Sequence, residues 1–292
     1  MRTALFAALA LIVFTFGSCK KDDAADDTPV TAGPRLILKF KFDSTQVRLN
    51  GLGQPEPTVE AGHGAQSPVF QRMSAHYVEF SPTMLDSIGH GAVVYHAPET
   101  NLGGATAIDH DLSVEAGQNG EFLNIPLSDL QPGTYEWLRV SLAYQNYDIR
   151  FRALSTAFTG RVASFLGYNT YISSFAIKDS VVQVNDDRLQ GFWGFETFLS
   201  ADTGQASAGA TTVPNPLFAT SPIPAGSCVV TGEFASSLII TGSETADVVI
   251  LVSLSTNKSF EWAEIDGDNI YEPFDGEFPV DMGIRGMTPV VQ

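Results

Sequence analysis

The residues in this chain with the clearest potential for chemistry are carboxylates near the C-terminus. Five acidic residues fall within the twelve positions 264–275, at Glu264, Asp266, Asp268, Glu272 and Asp275. A calcium ion takes roughly six to eight oxygen ligands, and alternating carboxylates around a tight turn supply them. Carboxylates this close also repel one another unless a cation lies among them. The segment therefore predicts a calcium site, and the alternative interpretation is an acidic hairpin turn that faces solvent.

The spacing of these residues resembles the calcium loops of EF-hand and dockerin proteins, over this stretch alone. Asn269 takes the sixth position of that register, where the chain must turn sharply and asparagine tolerates left-handed geometry. The flanking residues are typical of strands rather than helices, and glutamate replaces aspartate at the first position. The resemblance implies five carboxylate ligands and one backbone carbonyl, which come from Glu264, Asp266, Asp268, Ile270, Glu272 and Asp275.

Histidines form a second candidate group, because all five precede residue 111: His63, His76, His90, His96 and His110. Neighbouring strands bring together residues that are distant in sequence, and imidazoles suit copper or zinc. We single out His76 and His96 as candidate transition-metal ligands. No pair has the short spacing His-x-His or His-x-x-x-His, so a set of unrelated histidines is the alternative interpretation.

A third candidate is the aromatic segment 191–198, Gly-Phe-Trp-Gly-Phe-Glu-Thr-Phe. Exposed aromatic rings on a β-sandwich form stacking surfaces for sugars, which favours a glycan partner. Alternation along a strand also allows Phe192 and Trp193 to point to opposite faces, so that one of them simply belongs to the core. The segment therefore has a binding interpretation and a packing interpretation.

Catalytic motifs are scarce in this sequence. It contains no Gly-x-Ser-x-Gly, P-loop, His-Glu-x-x-His or Cys-x-x-Cys pattern. A facing pair of carboxylates, as in a glycosidase, stays open because acidic residues are plentiful. We predict a protein that is not an enzyme, with a hydrolase as the alternative.

The elements that position these groups begin with an N-terminal leader, residues 1–18. Arg2 gives it a positive start, and residues 4–16 form a predominantly apolar run that is too short to span a bilayer. A Gly-Ser pair then precedes Cys19, and this ending resembles a bacterial lipobox. The resemblance implies that Cys19 becomes the mature N-terminus and carries acyl chains such as palmitate. The alternative is an ordinary cleaved signal peptide or a short anchor helix.

Residues 19–34 are rich in charged and short side chains and predict a flexible tether. Their Cys-Lys-Lys-Asp-Asp start resembles lipoproteins of Bacteroidetes-type bacteria, which implies an outer-membrane lipoprotein on the cell surface or the periplasmic face. The formal net charge of −17 argues against nucleic-acid binding, so membrane contact is expected through the lipid anchor only. Cys228 is the only other cysteine, and acylation of Cys19 would exclude an internal disulfide.

Strand patterns dominate the remainder of the chain. About twelve short alternating runs with turn-length spacing predict an all-β antiparallel β-sandwich of the Ig-like or jelly-roll type, with almost no helix. We expect one large domain over residues 35–292, with a long loop at 200–226. The predicted strands include residues 36–42, 69–80, 134–144, 147–151 and 191–198.

The order of three patterns resembles MbnP-type proteins, which are linked to copper handling. These patterns are Leu-x-Leu-x-Phe at 36–40, Ser-Ala-His-Tyr-Val-Glu-Phe at 74–80 and Pro-Gly-Thr-Tyr at 132–135. They cover less than half of the chain. The resemblance implies a copper-binding lipoprotein in which His76 and His96 are the candidate ligands.

These observations predict a lipid-anchored protein of the cell envelope that binds a protein or glycan partner without turnover. Its β-sandwich would be stabilised by Ca²⁺ at the acidic segment. The first alternative is an MbnP-like lipoprotein that binds copper or zinc. The second alternative is a surface lipoprotein that binds or hydrolyses glycans.

Overall fold

The computed structural model describes residues 33–51, 53–206, 219 and 221–292. The predicted leader, Cys19 and the predicted tether up to residue 32 lie outside the described residues. Residues Gly33–Gln292 gather into one compact unit. Within the described ranges, no helix has the length and apolarity that crossing a membrane requires.

Nineteen strands and two short 3₁₀ turns, His110–Leu112 and Leu127–Asp129, make up the regular structure of the described chain. The first ten strands are β1 (Arg35–Asp43), β2 (His63–Gln66), β3 (Val69–Ser81), β4 (Ala92–His96), β5 (Glu99–Thr100), β6 (Ala107–Asp109), β7 (Glu115–Ala116), β8 (Gly120–Pro126), β9 (Gly133–Ala153) and β10 (Thr156–Phe165). The others are β11 (Asn169–Ala176), β12 (Val181–Leu189), β13 (Phe192–Glu196), β14 (Ala201–Gln205), β15 (Cys228–Ile240), β16 (Val248–Ser255), β17 (Phe260–Ala263), β18 (Pro279–Met282) and β19 (Met287–Val291).

The strands form four sheets. The largest has eight strands, in the order β14-β13-β10-β9-β3-β4, with β15 paired to β9 and β7 to β3. A second sheet has the order β19-β16-β1-β8, a third β12-β11-β6-β5 and a fourth β18-β17-β2. This architecture confirms the predicted all-β sandwich. The long strand β9 lies at its centre, because β3 pairs along one edge while β15 and β10 share the other.

The main core lies between the β1–β16 region and the eight-stranded sheet. Leu36, Leu38 and Phe40 of β1 are fully buried, as their alternation predicts, and the Phe40 ring stacks on Phe122 of β8. Residues of β3 and β9 pack into the same cluster, including the fully buried Val78. Alternation therefore places one face of each strand in a shared apolar layer.

Two pairings depart from the predicted antiparallel pattern, since β1 pairs with β16 and β6 with β11 in parallel. Parallel strands need a long crossover connection, and in both cases many residues separate the partners. The sheets are otherwise antiparallel, with register shifts in several pairs.

The predicted strands 134–144 and 147–151 are one strand, β9. The polar residues between them, Gln145 and Asn146, suggested a break, yet both are fully buried within the sheet. The Asn146 side-chain amide donates to the carbonyl of Ile177 at 2.9 Å. A hydrogen-bonded polar side chain can therefore continue a buried strand.

The stretch 200–226, predicted as a loop, begins with β14. Its small and polar side chains gave no alternation, but β14 pairs antiparallel with β13 along its whole length. Backbone hydrogen bonds thus form a strand where side chains do not mark one. Residues 207–218 and 220 lie outside the described residues.

Candidate functional site

The structure brings His76 and His96 together with Glu99. The ring centroids of the two histidines are 5.3 Å apart. Oε1 of Glu99 lies 2.9 Å from Nε2 of His76 and 3.2 Å from Nε2 of His96. One ligand atom from each residue falls within 4.8 Å of the other two, which is close enough for a single metal ion. We call these three residues the histidine group.

A register shift in β3 explains how His76 reaches this position. Ala75 pairs with Leu142 of β9, and Tyr77 pairs with the adjacent Ser141, so His76 is an additional residue on β3. In a regular strand, neighbouring side chains point to opposite faces. An additional residue in one strand, as in a β-bulge, changes the direction in which a side chain points. The rings of His76 and Tyr77 accordingly contact each other, with centroids 4.3 Å apart.

Sheet pairing and a short turn position the other two members. His96 ends β4, directly opposite Tyr77 of β3, and their rings stack at 4.2 Å. The chain then turns back, and the amide of Ala97 donates to the carbonyl of His76 at 2.8 Å. Glu99 opens β5 three residues after His96. This His-x-x-Glu spacing is the sequence signal that would have identified Glu99 beside His96.

Two tyrosines enclose the histidine group, and sequence analysis identified neither. Tyr77 stacks on His96, and the Tyr168 ring stacks on His76 at 5.3 Å. The Tyr168 hydroxyl donates to the carbonyl of Thr106 at 3.0 Å. Burial and the Glu99 carboxylate raise the pKa of Tyr168 to about 12, so both its ring and its hydroxyl are uncharged at neutral pH. No local signal marks Tyr168, which lies 92 positions beyond His76.

Burial sets the protonation state of the central histidine. His76 is fully buried, and this lowers its pKa to about 4, although Glu99 partly offsets the shift. A neutral imidazole keeps a nitrogen lone pair for a metal ion. The other ring nitrogen, Nδ1, is buried with no hydrogen-bond partner among the described residues. His96 is more open, with 45 % of its side chain exposed.

Two imidazoles and one carboxylate are a donor set that zinc and copper both accept. Three protein ligands from this set would leave a further position to solvent or to a small ligand on the exposed His96 side. The other histidines lie elsewhere. His63 contacts Glu261, with Nδ1 and Oε2 3.2 Å apart, and His110 packs against Tyr144 and Phe165.

The acidic segment forms a loop between β17 and β18, and we call residues 264–277 the acidic loop. Its flanks are strands and Asn269 has a positive φ of 57°, both as the sequence predicts. Carboxylate oxygens of Glu264, Asp266 and Asp268 lie within 4.8 Å of one another. Each carboxylate also accepts a backbone N–H of the loop, at 3.1 Å from Gly267 to Glu264 for example. These bonds hold the turn closed.

The remaining predicted calcium ligands have other positions. The carboxylates of Glu272 and Asp268 both form ion pairs with Arg152 of β9. The backbone amides of Ile270 and Asp275 donate within the loop, to Asp268 and to the carbonyl of Glu272. The described contacts thus group three of the six predicted residues and place a guanidinium against two of the carboxylates.

Glu277 closes the acidic loop from the inside. Its buried carboxylate accepts the backbone N–H groups of Ile265 and Glu272, at 3.2 and 2.7 Å. Burial and the adjacent Glu264 carboxylate raise the pKa of Glu277. The pair therefore takes up a proton more readily than separate carboxylates would. Glu277 acts on the loop backbone and is not a free ligand.

The aromatic segment divides between two faces of the sheet. Phe192 is buried in a cluster with Tyr144, Phe165 and Phe175, which confirms the packing interpretation for that ring. Trp193 and Phe195 are only partly buried and lie on the other face.

Comparison of the chain with known protein families, curated proteins and solved structures gave no match.

Proposed function

We propose that this protein binds one divalent transition-metal ion, copper(II) or zinc, at His76, His96 and Glu99. The observation that supports the proposal most is the convergence of these three side chains within 4.8 Å. They come from three different strands, and a register shift in β3 turns His76 toward the other two. Two neutral imidazoles and a carboxylate then present nitrogen and oxygen lone pairs to one point.

The electrostatics of the group support the same proposal. Among the described residues, the charges that act on His76 come from Glu99 and His96, and not from a lysine or an arginine. Within that part of the chain, a divalent ion would therefore meet one carboxylate and no permanently charged cation at His76. The neutral state of His76 also reduces competition from protons at neutral pH.

The proposal includes the predicted anchor. Acylated Cys19 would hold the metal-binding domain at the cell envelope, as a binding protein without turnover. Mass spectrometry of the mature N-terminus tests this part separately. A lipid-modified residue 19 is expected, and an unmodified residue 19 or cleavage elsewhere would remove the anchor from the proposal without affecting the metal site.

Metal content of the purified protein tests the site. Protein prepared without chelator, or stripped and then reloaded, should hold close to one equivalent of copper or zinc by elemental analysis. Copper(II) should give an electron paramagnetic resonance spectrum with hyperfine splitting from two nitrogen ligands. His96→Gln and Glu99→Gln should each lower the affinity by about 100-fold, or about 2.7 kcal/mol.

The control variant for this test is His90→Gln, because His90 is exposed and outside the histidine group. It should keep the parent affinity. Equal losses in His90→Gln and His96→Gln, or stoichiometric metal retained by Glu99→Gln together with His96→Gln, would contradict the assigned ligands.

Calcium at the acidic loop is a second proposal, favoured by the grouped carboxylates of Glu264, Asp266 and Asp268. A calcium ion would compete with Arg152 for Asp268, so we expect weak binding in the parent protein. Calcium that binds only the native state raises the melting temperature by mass action. Asp266→Ala combined with Asp268→Ala should abolish that response, and an unchanged response would reject the loop as the calcium site.

A further inference from the structure

A cleft of about 540 Å³ opens between the eight-stranded sheet and the three-stranded sheet. Trp193 and Phe195 of β13 line one wall, and Phe260 of β17 and Phe278 and Met282 near β18 line the other. None of the histidine group borders it. Its volume falls in the range of roughly 300–1,000 Å³ that is typical of small-molecule sites.

Two glycines allow the aromatic rings of one wall to lie across the sheet. Gly204 of β14 pairs with Trp193, and a Cβ atom at this glycine would lie 2.3 Å from Cζ2 of the indole. A Cβ atom at Gly160 of β10 would lie 2.4 Å from Cε2 of Phe195. One face of each of these two rings therefore packs against a glycine. Because both residues also line the cleft and are partly exposed, the wall consists of aromatic surface.

The described lining is uncharged, although the chain as a whole carries a formal net charge of −17. Its side-chain hydrogen-bonding groups are the Trp193 indole, the Gln205 amide and the Tyr271 phenol. The Gln205 amide already donates to the carbonyl of Gln190 at 2.8 Å. Burial raises the pKa of Tyr271, which keeps the phenol neutral.

This composition discriminates between classes of ligand. A sugar brings several hydroxyl groups, and each loses hydrogen bonds to water unless the site replaces them. A charged ligand would lose hydration without meeting an opposite charge. A flat apolar molecule loses little hydration and gains stacking contact with the two rings.

We propose that the cleft between β13–β14 and β17–β18 binds an uncharged, planar apolar molecule, stacked on Trp193 and Phe195. This site is independent of the metal proposal. Gly160 and Gly204 pack against these two rings, and Phe260, Phe278 and Met282 form the opposite wall.

Pyrene is a suitable probe, because the ratio of its emission bands reports the polarity around it. Titration of the full mature protein should show saturable binding to one site. Trp193→Ala should weaken this binding by about tenfold, because it removes one of the two rings of the stacking wall. Phe278→Ala, an exposed position on the opposite wall, should weaken it by about threefold without disturbing the sheet.

Two controls make the result specific. Phe198→Ala removes an exposed aromatic ring that is outside the lining and stacks on Phe158. It should leave pyrene binding unchanged. Pyrene sulfonate adds a charge to the same rings and dodecanol offers an uncharged chain without a planar surface, so both should bind more weakly.

Several results would overturn the proposal. These are an absence of saturable pyrene binding, an equal loss in Phe198→Ala, or tighter binding of dodecanol or of the sulfonate. Binding of a soluble oligosaccharide in place of pyrene would identify the wall as a sugar-stacking surface instead. If Trp193→Ala fails to fold, the effect of Phe278→Ala on pyrene binding decides whether the proposal stands.

Discussion

Two groups of ligand-type side chains in this molecule, the histidine group and the acidic loop, differ in the charge that the rest of the chain brings to them. In the acidic loop, Arg152 of β9 reaches Asp268 and Glu272. At the histidine group, aromatic rings of Tyr77 and Tyr168 surround the three side chains, and the charges that act on His76 within the described chain come from Glu99 and His96, not from a lysine or an arginine.

The difference concerns the positive charge that the carboxylates of each group meet. Clustered carboxylates need a positive charge, and a guanidinium supplies it with directed hydrogen bonds. In the acidic loop, a metal ion would therefore have to compete with Arg152 for Asp268. The histidine group has a single carboxylate, a buried neutral imidazole and an open side, so a metal ion can add to it without displacing a protein group.

The largest effect that would sharpen this comparison is the loss of transition-metal binding in a double variant. His96→Gln with Glu99→Gln should reduce the bound copper or zinc from one equivalent to background, because it leaves one imidazole. Asp266→Ala with Asp268→Ala should retain that equivalent. Elemental analysis of both double variants separates the two regions, and metal loss from the acidic-loop variant alone would reverse their roles.

A second prediction concerns the pH dependence of stability. Burial lowers the pKa of His76 and of His110 to about 4. Histidines in the unfolded chain titrate near pH 6.5, so between pH 6.5 and 4 the unfolded state binds more protons. The contribution of these histidines to the free energy of unfolding is therefore fully present above about pH 6.5. It falls as the pH decreases toward the folded-state pKa, by up to about 3 kcal/mol for each residue.

Denaturant unfolding of the metal-free protein across this range checks the prediction. His76→Phe and His110→Phe should each remove about half of the histidine contribution. Only His76→Phe should also abolish metal binding, since His110 lies outside the histidine group. A parent free energy of unfolding that is constant from pH 6.5 to pH 4 would contradict the neutral state of both histidines in the folded protein.

A third prediction tests whether Arg152 replaces a metal ion in the acidic loop. Arg152→Gln removes the cation from Asp268 and Glu272, so the melting temperature should fall in calcium-free buffer. Added calcium should restore more of it than in the parent protein, because the ion no longer competes with the guanidinium. Arg150→Gln is a matched control on the same strand, since Arg150 forms no ion pair among the described residues. Identical calcium responses in the two variants would show that Arg152 does not occupy the cation position.

The smallest effect is expected at Asn269, which shapes the acidic loop independently of any metal ion. Its positive φ costs a residue with a Cβ about 1 kcal/mol or more, and its Oδ1 accepts the backbone N–H of Ala65 at 2.9 Å. Asn269→Ala should destabilise the protein by about 2 kcal/mol, and Asn269→Gly by about 1 kcal/mol because it relieves only the backbone cost. Equal destabilisation by both variants would assign the whole effect to the lost hydrogen bond.

Much of the fold follows from local patterns in the sequence. The alternation of Leu36, Leu38 and Phe40 is sufficient to place β1 in the core, because one face of a strand must be buried. The turn at Asn269 and the strands on both sides of the acidic loop were equally predictable. The continuity of β9 was not, since a buried Asn146 is acceptable only when a distant carbonyl, that of Ile177, accepts its hydrogen bond.

The sequence by itself determined the strand character of the chain, the positions of its ligand-type residues and the anionic charge. It nominated His76, His96 and the acidic loop, because residue types carry chemistry wherever they lie. Only the tertiary structure decided which of them meet and which contact a protein cation. The additional residue in β3 turns His76 toward Glu99, and β9 brings Arg152 to a loop more than a hundred positions away. Contacts of this kind depend on pairing register and on long-range packing, which local sequence patterns do not encode.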